Sequence, residues 1–240
     1  NTEQFLIFLF RLVYSFISNG KHCLVCNSQT VLLPLCRNCQ NKLFNVHNAL
    51  SYTRCRICGQ ELLSCKETCM SCREEPVLKS TDMVIPLFSY RLWNKELLYK
   101  WKIQGERIFS PFFARLFYMA LKELNQKTIV PVPPRKGKIK KNGWDQIDEV
   151  CRFLENRYGF KIIHLLQRNS TNQQKKLNRE ERLNTIQSAY SLIKNPEKIP
   201  EEVCLIDDVC TTGSTIECCA KILKEAGVKT VNVITLFIVD

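Results

Sequence analysis

Apolar residues follow two different spacings over the C-terminal two thirds of the chain. From residue 82 onward, short apolar runs rich in β-branched and aromatic residues alternate with longer segments whose apolar positions recur at helical spacing. The short runs predict buried strands, and the longer segments predict amphipathic helices. Strands separated by helices favour an α/β fold, with a parallel sheet, right-handed crossovers and helices on both faces. Such sheets bind their ligands at the carboxyl ends of the strands.

The individual elements follow from this pattern. Strands are predicted over residues 82–90, 128–133, 203–207 and 230–239, and residues 160–166 form a further apolar segment. Helices are predicted over residues 92–104, 109–125, 144–158 and 215–226. We expect these elements to form one domain over residues 77–240, which lies within the usual size of a domain.

The N-terminal segment is also apolar, but it is short. Residues 5–17 are largely hydrophobic, with Arg11 at their centre, and span about 13 residues. A helix that crosses a bilayer needs roughly 20. We therefore expect an amphipathic helix over residues 1–19 and no membrane span. No basic start or small-residue cleavage site marks a signal peptide, so we expect a cytoplasmic location.

Cysteines mark the segment between these two regions. Nine of the 14 cysteines lie between residues 23 and 72, and eight of them form four Cys-x-x-Cys pairs. Two such pairs supply four thiolates for a tetrahedral zinc ion, with Zn–S distances of about 2.3 Å. We predict a double zinc-ribbon module over residues 20–76, with the pairs combined either in series or crosswise. The ligand set is the same in both cases: Cys23, Cys26, Cys36, Cys39, Cys55, Cys58, Cys69 and Cys72.

A disulfide framework is the alternative, but it needs an oxidising compartment that no targeting signal supports. Cys65 falls outside the paired spacing and is interpreted as a spare thiol. The other five cysteines lie in apolar contexts and are predicted to pack as small hydrophobes: Cys151, Cys204, Cys210, Cys218 and Cys219. A segment of about 60 residues buries little core, so metal binding should supply its folding energy, and chelation should unfold residues 20–75 first.

One segment of the α/β region carries the candidate chemistry. Residues 203–215 combine an apolar strand, two adjacent acids and a hydroxyl-rich turn that opens a helix. Asp207 and Asp208 should lie at the carboxyl edge of the strand, where two acids are costly unless hydroxyls, a cation or water satisfy them. The turn offers backbone N–H groups and hydroxyls at the positive end of a helix, which suits a phosphate dianion. Its residues are Thr211, Thr212, Gly213, Ser214 and Thr215. This order predicts a pocket for a phosphorylated sugar.

A plainer interpretation explains part of this motif. Ser214 and Glu217 have the spacing of a capping box, in which the two side chains satisfy the first backbone N–H groups of a helix. The two acids would then be a solvated strand end. Both interpretations can hold together.

The same residues resemble the motif that binds 5-phosphoribosyl 1-pyrophosphate (PRPP) in type I phosphoribosyltransferases. The resemblance implies that Asp207 and Asp208 are the catalytic acids and meet the ribose hydroxyls of PRPP. It also implies that the turn holds the 5′-phosphate and that Mg²⁺ is held largely by the substrate. Residues 130–133, which read Val-Pro-Val-Pro, resemble the loop that holds pyrophosphate in those enzymes. The implied pyrophosphate loop is Val132, Pro133, Pro134 and Arg135.

Further segments resemble the ComF family of competence-associated proteins, which join a cysteine-rich zinc module to a type I phosphoribosyltransferase fold. Tyr90 and Lys102 lie in a stretch like that family's aromatic and lysine segment. Other matching positions are Thr171, Gln174, Leu177 and Arg182. The chain departs from the family at Asn142, where an arginine is usual, and at Thr185, where an asparagine is common. Residue 211 is Thr rather than an acid, so no general base is visible.

Positive charge is concentrated in a few stretches of a chain whose formal net charge is +12. Residues 135–141 carry five cations and no acid, namely Arg135, Lys136, Lys138, Lys140 and Lys141. With Lys102 and Arg182 they are candidate contacts for a polyanion, either PRPP or a nucleic-acid backbone. The basic loop is equally typical of a solvated surface loop.

Aromatic residues interleave with these charges, as on a surface that stacks the bases of single-stranded DNA. They are Trp93, Tyr99, Trp101 and Trp144. The helical spacing of Trp93, Leu97 and Trp101 is more typical of a core than of a stacking surface.

Three functions remain open from the sequence. The first is a phosphoribosyltransferase-like protein that binds Mg·PRPP and is linked to DNA uptake. The second is a competence protein that binds incoming single-stranded DNA without catalysis, together with other competence proteins. The third is a regulator that senses PRPP.

Overall fold

The computed structural model of this chain describes residues 21–30, 34–51, 53–62, 66–134, 143–169, 189–196 and 198–239. Several predictions from the sequence lie outside these residues: the helix over 1–19, Cys65, the basic loop from Arg135 to Lys141, Asn142, Thr171, Gln174, Leu177, Arg182 and Thr185. Among the described helices, none is both long enough and apolar enough to cross a membrane.

Short elements form the cysteine-rich segment. They are the antiparallel strands β1 (Lys21–His22) and β2 (Gln29–Thr30) and the helices α1 (Arg37–Leu43), α2 (Val46–Ser51) and α3 (Met70–Glu74). Both α1 and α3 begin directly after a cysteine, because Cys36 and Cys69 are their N-caps in extended conformation. The second Cys-x-x-Cys pair and the fourth therefore each include a residue at a helix start.

The α/β region follows the predicted order closely. Its elements are β3 (Met83–Ser89), α4 (Leu92–Lys102), α5 (Ser110–Glu123), β4 (Thr128–Pro131), α6 (Gln146–Tyr158), β5 (Lys161–Ile162), β6 (Leu166–Arg168), β7 (Tyr190–Leu192), β8 (Glu202–Cys210), α7 (Ser214–Glu225) and β9 (Thr230–Ile238). Five strands form one sheet in the order β3-β9-β8-β4-β5, and every pairing is parallel. The predicted fold class is confirmed: a small cysteine-rich module precedes, along the chain, an α/β region with a parallel sheet.

Strands β8 and β9 lie at the centre of the sheet and are buried on both faces. Their side chains are almost continuously apolar, as expected of parallel strands covered by helices on both sides. Helices α4, α5 and α6 pack on one side, which we call the α5 face. Helix α7 packs on the other, the α7 face. The five cysteines predicted to pack as hydrophobes are all buried.

Two predicted elements differ from the structure. The apolar segment 160–166 is split between β5, which joins the edge of the sheet, and β6, which pairs antiparallel with β7 in a separate two-stranded sheet. Strand β8 continues three residues beyond the predicted end at 207. It does so because Asp207, Val209 and Cys210 remain paired with β9.

The cysteine-rich segment does not stand apart from the sheet. The ring of Phe44 makes edge contacts with Phe88 of β3 and Phe112 of α5, at centroid distances of 5.2 and 5.1 Å. Ile57 and Cys58 pack on the opposite side, against the α7 face. Residues of the module thus lie on both sides of the edge strand β3 and belong to the hydrophobic clusters on both faces of the sheet. The domain boundary at residue 76 stays a prediction.

Candidate functional site

Strand β8, a three-residue turn and helix α7 build the candidate site. The turn comprises residues 211–213, and Gly213 is the N-cap of α7 with a φ of +78°. A side chain is strained in this left-handed conformation, and a Cβ here would also lie 3.1 Å from Leu78 Cδ2. Glycine therefore lets the chain reverse tightly from the strand into the helix.

The turn presents its hydroxyls together. Thr211 and Thr212 are exposed, and Ser214 and Thr215 are half-buried. The Thr212 and Ser214 hydroxyl oxygens are 2.9 Å apart, and the Ser214 amide donates to Thr212 Oγ1 at 3.4 Å. Because the N-cap is glycine, no side chain of the cap satisfies the first amides of α7. An anion at this helix start would meet both N–H groups and hydroxyls.

The predicted capping box does not form. Ser214 is the first helical residue rather than the N-cap. The Glu217 carboxylate instead accepts hydrogen bonds from the backbone N–H groups of Lys79 and Ser80, at 2.7 and 3.0 Å, and from the Ser80 hydroxyl at 2.7 Å. Glu217 therefore fastens the segment that follows the cysteine-rich module onto the first turn of α7.

The two adjacent acids lie on different faces of the sheet. Side chains alternate along a strand, and Ile206 packs on the α5 face while Leu205 packs on the α7 face. Asp208 accordingly meets Lys102 of α4, whose ammonium lies 2.9 and 2.6 Å from its two carboxylate oxygens. Asp207 Oδ1 accepts a hydrogen bond from the Asp208 amide at 2.8 Å. The sequence did not predict this separation.

Lys102 had been predicted as a contact for a polyanion, and the structure pairs it with an acid of the site. Desolvation works against the charge of its ammonium, but the Asp208 carboxylate outweighs this effect, so the pKa of Lys102 is raised. The end of α4 is held in place by Gln146, whose amide donates to the Lys102 carbonyl at 3.2 Å. Residue 102 is thus positioned by both its side chain and its backbone.

A buried polar network supports the same end of α4. The Trp101 indole donates to Ser110 Oγ at 2.9 Å, and Ser110 donates in turn to the Glu149 carboxylate. Arg107 donates to Glu149 from Nε at 2.7 Å. The guanidinium of Arg107 also lies 5.5 Å from the ring centre of Trp144. Trp101 is fully buried in this network, so it belongs to the core and not to a stacking surface.

The other predicted aromatic contacts are divided between core and surface. Leu97 is buried, and Trp144 is half-buried beneath Arg107. Trp93 and Tyr99 are 42% and 51% exposed on α4. Within the described residues, these two are the members of the predicted aromatic set that remain open to a ligand.

The predicted pyrophosphate loop lies beside the acids. The Val132 amide donates to the Ile206 carbonyl at 3.0 Å, which keeps the loop against β8 immediately before Asp207. Val132 is buried, and Pro133 and Pro134 are half-buried. Arg135 lies outside the described residues.

Sequence analysis missed two residues near the start of α7. Arg168 of β6 donates from Nη1 to the Tyr190 hydroxyl at 2.9 Å, with the guanidinium carbon 5.1 Å from the centre of the Tyr190 ring. Burial raises the pKa of Tyr190, although the charge of Arg168 and a side-chain hydrogen bond to Thr215 both lower it. The sequence does not show that Arg168 is near the turn, because this proximity depends on the pairing of β6 with β7.

The eight paired cysteines form two clusters in series. One contains Cys23, Cys26, Cys36 and Cys39, and the other contains Cys55, Cys58, Cys69 and Cys72; within each, the sulfur atoms all lie within 4.8 Å of one another. The serial pairing is therefore the one that the fold adopts.

The sulfur geometry of both clusters fits a tetrahedral metal. Four thiolates at about 2.3 Å from a zinc ion lie about 3.8 Å from each other. Cys26 Sγ and Cys36 Sγ are 3.6 Å apart, and Cys58 Sγ and Cys69 Sγ are 3.7 Å apart. Backbone amides also donate to sulfur, Cys39 to Cys36 at 3.4 Å and Cys69 to Cys55 at 3.3 Å. Two four-cysteine clusters with the character of structural zinc sites are thus present.

Asp207 should make stability depend on pH. Burial and the negative charge of Asp208 raise the pKa of Asp207 from 3.8 to about 8. Between these values the folded state keeps a proton that the unfolded state loses, so stability should fall as pH rises from about 4 to about 8. The variant Asp207→Asn does not titrate, so its melting temperature should increasingly exceed that of the wild type over this range. Thermal unfolding at pH 5 to 9 measures the difference.

The control for this prediction is Asp148→Asn. Asp148 pairs with Arg152 at 2.9 Å, one turn along α6. Its effect should not follow the same pH profile. A difference between Asp207→Asn and the wild type that stays constant from pH 5 to 9 would contradict the raised pKa.

Named proteins of similar sequence are competence proteins. Competence protein F of Haemophilus influenzae is 27% identical over 212 residues, covering 83% of this chain and 88% of that protein. Competence protein ComFC of Streptococcus pneumoniae is 30% identical over 150 residues, covering 62% and 66%. Competence protein ComFC of Bacillus subtilis is 26% identical over 229 residues, covering 85% and 89%. No protein-family model matches the chain.

Solved structures with a similar arrangement include two enzymes of nucleotide metabolism. An allosteric regulatory enzyme of purine biosynthesis matches with a TM-score of 0.38 and 18% identity, over 54% of this chain and 26% of that chain. A purine phosphoribosyltransferase from Pyrococcus horikoshii matches with a TM-score of 0.31 and 15% identity, over 55% and 81%. Both TM-scores are below 0.5, so no conclusion rests on them. The similarity to the competence proteins, with two four-cysteine clusters ahead of a parallel α/β sheet, shows that the chain belongs to the ComF/ComFC family.

Proposed function

We propose that this protein binds Mg·PRPP at the carboxyl end of β8 and transfers its phosphoribosyl group to an acceptor. The observation that carries the proposal is the turn between β8 and α7. There, helix N-terminal amides that no side chain of the N-cap satisfies and clustered hydroxyls lie directly after two acids in the centre of a parallel sheet. Parallel α/β sheets bind ligands at this end of their strands. Because similar proteins are competence proteins, we assign the activity to DNA uptake in natural transformation.

Each part of the site has a task in this proposal. The turn from Thr211 to Thr215 holds the 5′-phosphate, with the amides of α7 and the side chains of the turn as donors. Asp207 and Asp208 accept hydrogen bonds from the ribose hydroxyls. The loop of Val132, Pro133 and Pro134 faces the pyrophosphate, and the cations from Arg135 to Lys141 follow it in the chain. The bond from the anomeric carbon to pyrophosphate breaks as the bond to the acceptor forms.

Magnesium fits the chemistry of this site. The two carboxylates of β8 are hard oxygen donors of the kind that Mg²⁺ accepts, and it usually binds through one or two carboxylates together with substrate phosphates. When bound, the ion neutralises charge on the departing pyrophosphate. Asp208 is occupied by Lys102 in this structure, so ribose hydroxyls or a cation have to compete with that ammonium. Lys102 is then free to meet an anion.

Calorimetry with Mg·PRPP tests the binding proposal. The wild type should release or absorb heat with a stoichiometry of one. Asp208→Asn should weaken binding about tenfold or more, because a charged acceptor of ligand hydroxyls is lost. Asp148→Asn removes an ion-paired acid elsewhere on the surface and should bind like the wild type. If titration of the wild type with Mg·PRPP gives no heat of binding, the proposal is wrong.

A screen for pyrophosphate release against nucleobases separates an enzyme from a binding protein. Release that requires both an acceptor and Asp208 supports transfer. Binding of Mg·PRPP without release, whatever the acceptor, would instead favour a regulator that senses PRPP.

The second candidate function is binding of single-stranded DNA, and the exposed aromatic residues of α4 favour it. Trp93 and Tyr99 are accessible on a helix that also exposes Lys95. Bases stack on exposed aromatic rings while cations meet the phosphates. In this role the protein hands incoming DNA to other competence proteins.

Fluorescence anisotropy with a labelled thymidine oligonucleotide tests the DNA function. Affinity should fall steeply with salt, by roughly 0.7 counterions for each phosphate contact. Trp93→Ala and Tyr99→Ala should each weaken binding about fivefold or more, since one stacked base contributes about 1–3 kcal/mol. Ile103→Ala is the control, because Ile103 is exposed at the end of the same helix but cannot stack. A flat salt response would count against the function.

We further propose that each four-cysteine cluster holds one structural zinc ion. The protein should then contain two zinc ions per chain by metal analysis, and Cys26→Ser and Cys58→Ser should each lose one. Cys58 packs on the α7 face with Leu78, which covers Gly213 of the turn. Cys58→Ser should therefore weaken Mg·PRPP binding more than Cys26→Ser does. Equal effects of the two variants on PRPP binding would contradict this coupling, and full zinc retention would contradict the ligand set.

A further inference from the structure

A cavity of about 390 Å³ lies between the second cysteine cluster and the edge strand β3, outside the site described above. Its β3 residues, Met83 to Ile85, belong to the amino-terminal half of that strand. In the register of the sheet, Met83 to Ile85 lie level with Cys204 to Ile206 of β8, and β9 lies between the two strands. The cavity shares no lining residue with the candidate PRPP site.

Backbone pairing at the sheet edge shapes one wall of the cavity. The Val84 amide of β3 donates to the Arg56 carbonyl at 3.2 Å, and the Arg56 amide donates to the Glu67 carbonyl at 2.9 Å. The chain around the second cluster thus continues the edge of the sheet. This arrangement holds Arg54 and Arg56 beside the cavity on a segment that four cysteines tie together.

The remaining walls are apolar. Helix α2 contributes Ala49 and Leu50, strand β3 contributes Met83 and Ile85, and Leu124 follows the end of α5. An apolar wall of this size favours a ligand with an uncharged, poorly hydrated body. Volumes of about 300–1,000 Å³ are usual for sites that take small molecules.

The charged residues that line the cavity are mainly cations. Arg54, Arg56 and Lys66 oppose the single acid Glu67. The formal surplus on these four side chains is +2, which suits a phosphate dianion, and Arg54 Nη2 also lies 3.9 Å from the carboxylate of Glu61, outside the lining residues. Arginine is well suited to phosphate oxygens, because its planar donors meet two of them at once.

Arg54 provides the observation that points to a ligand. Its side chain is only 10% exposed, and its Nη1 donates to the Gly59 carbonyl at 3.0 Å. Its Nε is buried, and no other atom of the described residues accepts its hydrogen. A buried donor on a cation is costly when it has no acceptor. Nε has almost no accessible surface, so the Arg54 side chain has to turn before an oxyanion in the cavity reaches this donor.

We propose that this cavity is a second ligand site, which binds a phosphate monoester on an apolar body, such as a nucleoside monophosphate. Arg54, Arg56 and Lys66 hold the phosphate. The base lies against the apolar wall formed by α2, β3 and Leu124. The site is independent of PRPP binding at β8.

Calorimetry on the full zinc-loaded chain tests the proposal with AMP, inorganic phosphate and adenosine as probes. AMP should bind more tightly than either of its parts, and the Asp208→Asn variant should retain this binding. Arg54→Gln should weaken AMP binding about tenfold or more, and Lys66→Gln, at an exposed position, should weaken it severalfold. Arg115→Gln makes the same change of charge at an exposed position of α5 outside the cavity and should have no effect.

Three results would overturn the proposal. Loss of AMP binding in Asp208→Asn but not in Arg54→Gln would place the nucleotide at β8. Binding that neither Arg54→Gln nor Lys66→Gln changes would exclude the cavity. The cations would serve only the thiolate cluster if Arg54→Gln released zinc while AMP affinity in Lys66→Gln stayed at the wild-type value.

Discussion

The chain after β4 separates from β8 at the point where a backbone hydrogen-bond donor is missing. Donors to one neighbour alternate along a parallel strand, and the last donation toward β8 comes from Val132 to Ile206. Residue 134 would be the next donor, but it is proline and has no N–H. The chain therefore leaves β8 at Ile206, while β9 remains paired with β8 as far as Cys210. Asp207 and Asp208 lie in the segment that only one neighbour covers, which is why a ligand can approach them.

The two acids at this opening differ in whether a cation compensates their charge. Asp208 has a cationic partner in Lys102, which Gln146 and the Trp101–Ser110–Glu149 network hold at the end of α4. Asp207 has no such partner among the described residues, and its pKa rises to about 8. Asp208 is thus paired with a cation, and Asp207 holds a proton near neutral pH. A ligand with hydroxyl groups meets two acceptors of different character.

Several contacts tie the cysteine-rich segment and the residues that follow it to the α/β region. Phe44 packs into the α5 face, the Arg56 carbonyl pairs with the edge of β3, and Glu217 holds residues 79 and 80 against the first turn of α7. Leu78 then lies against Gly213, where any Cβ would be crowded. A change in the second cluster can therefore reach the turn through a few packed residues. The proposed zinc site and the proposed ligand site are therefore close enough to be coupled.

Much of this architecture could be predicted from local patterns. The order of strands and helices follows from apolar periodicity, and the ligand set of the clusters follows from Cys-x-x-Cys spacing, because both depend on residues close in sequence. The serial pairing of the clusters, the ion pair between residues 102 and 208, and the position of Arg168 beside the turn join residues distant in sequence. Because side chains alternate along β8, Asp207 and Asp208 also lie on opposite faces of the sheet. The sequence by itself determined which groups the candidate site contains, whereas the tertiary structure decided their partners, since burial and charge pairing depend on which elements pack together.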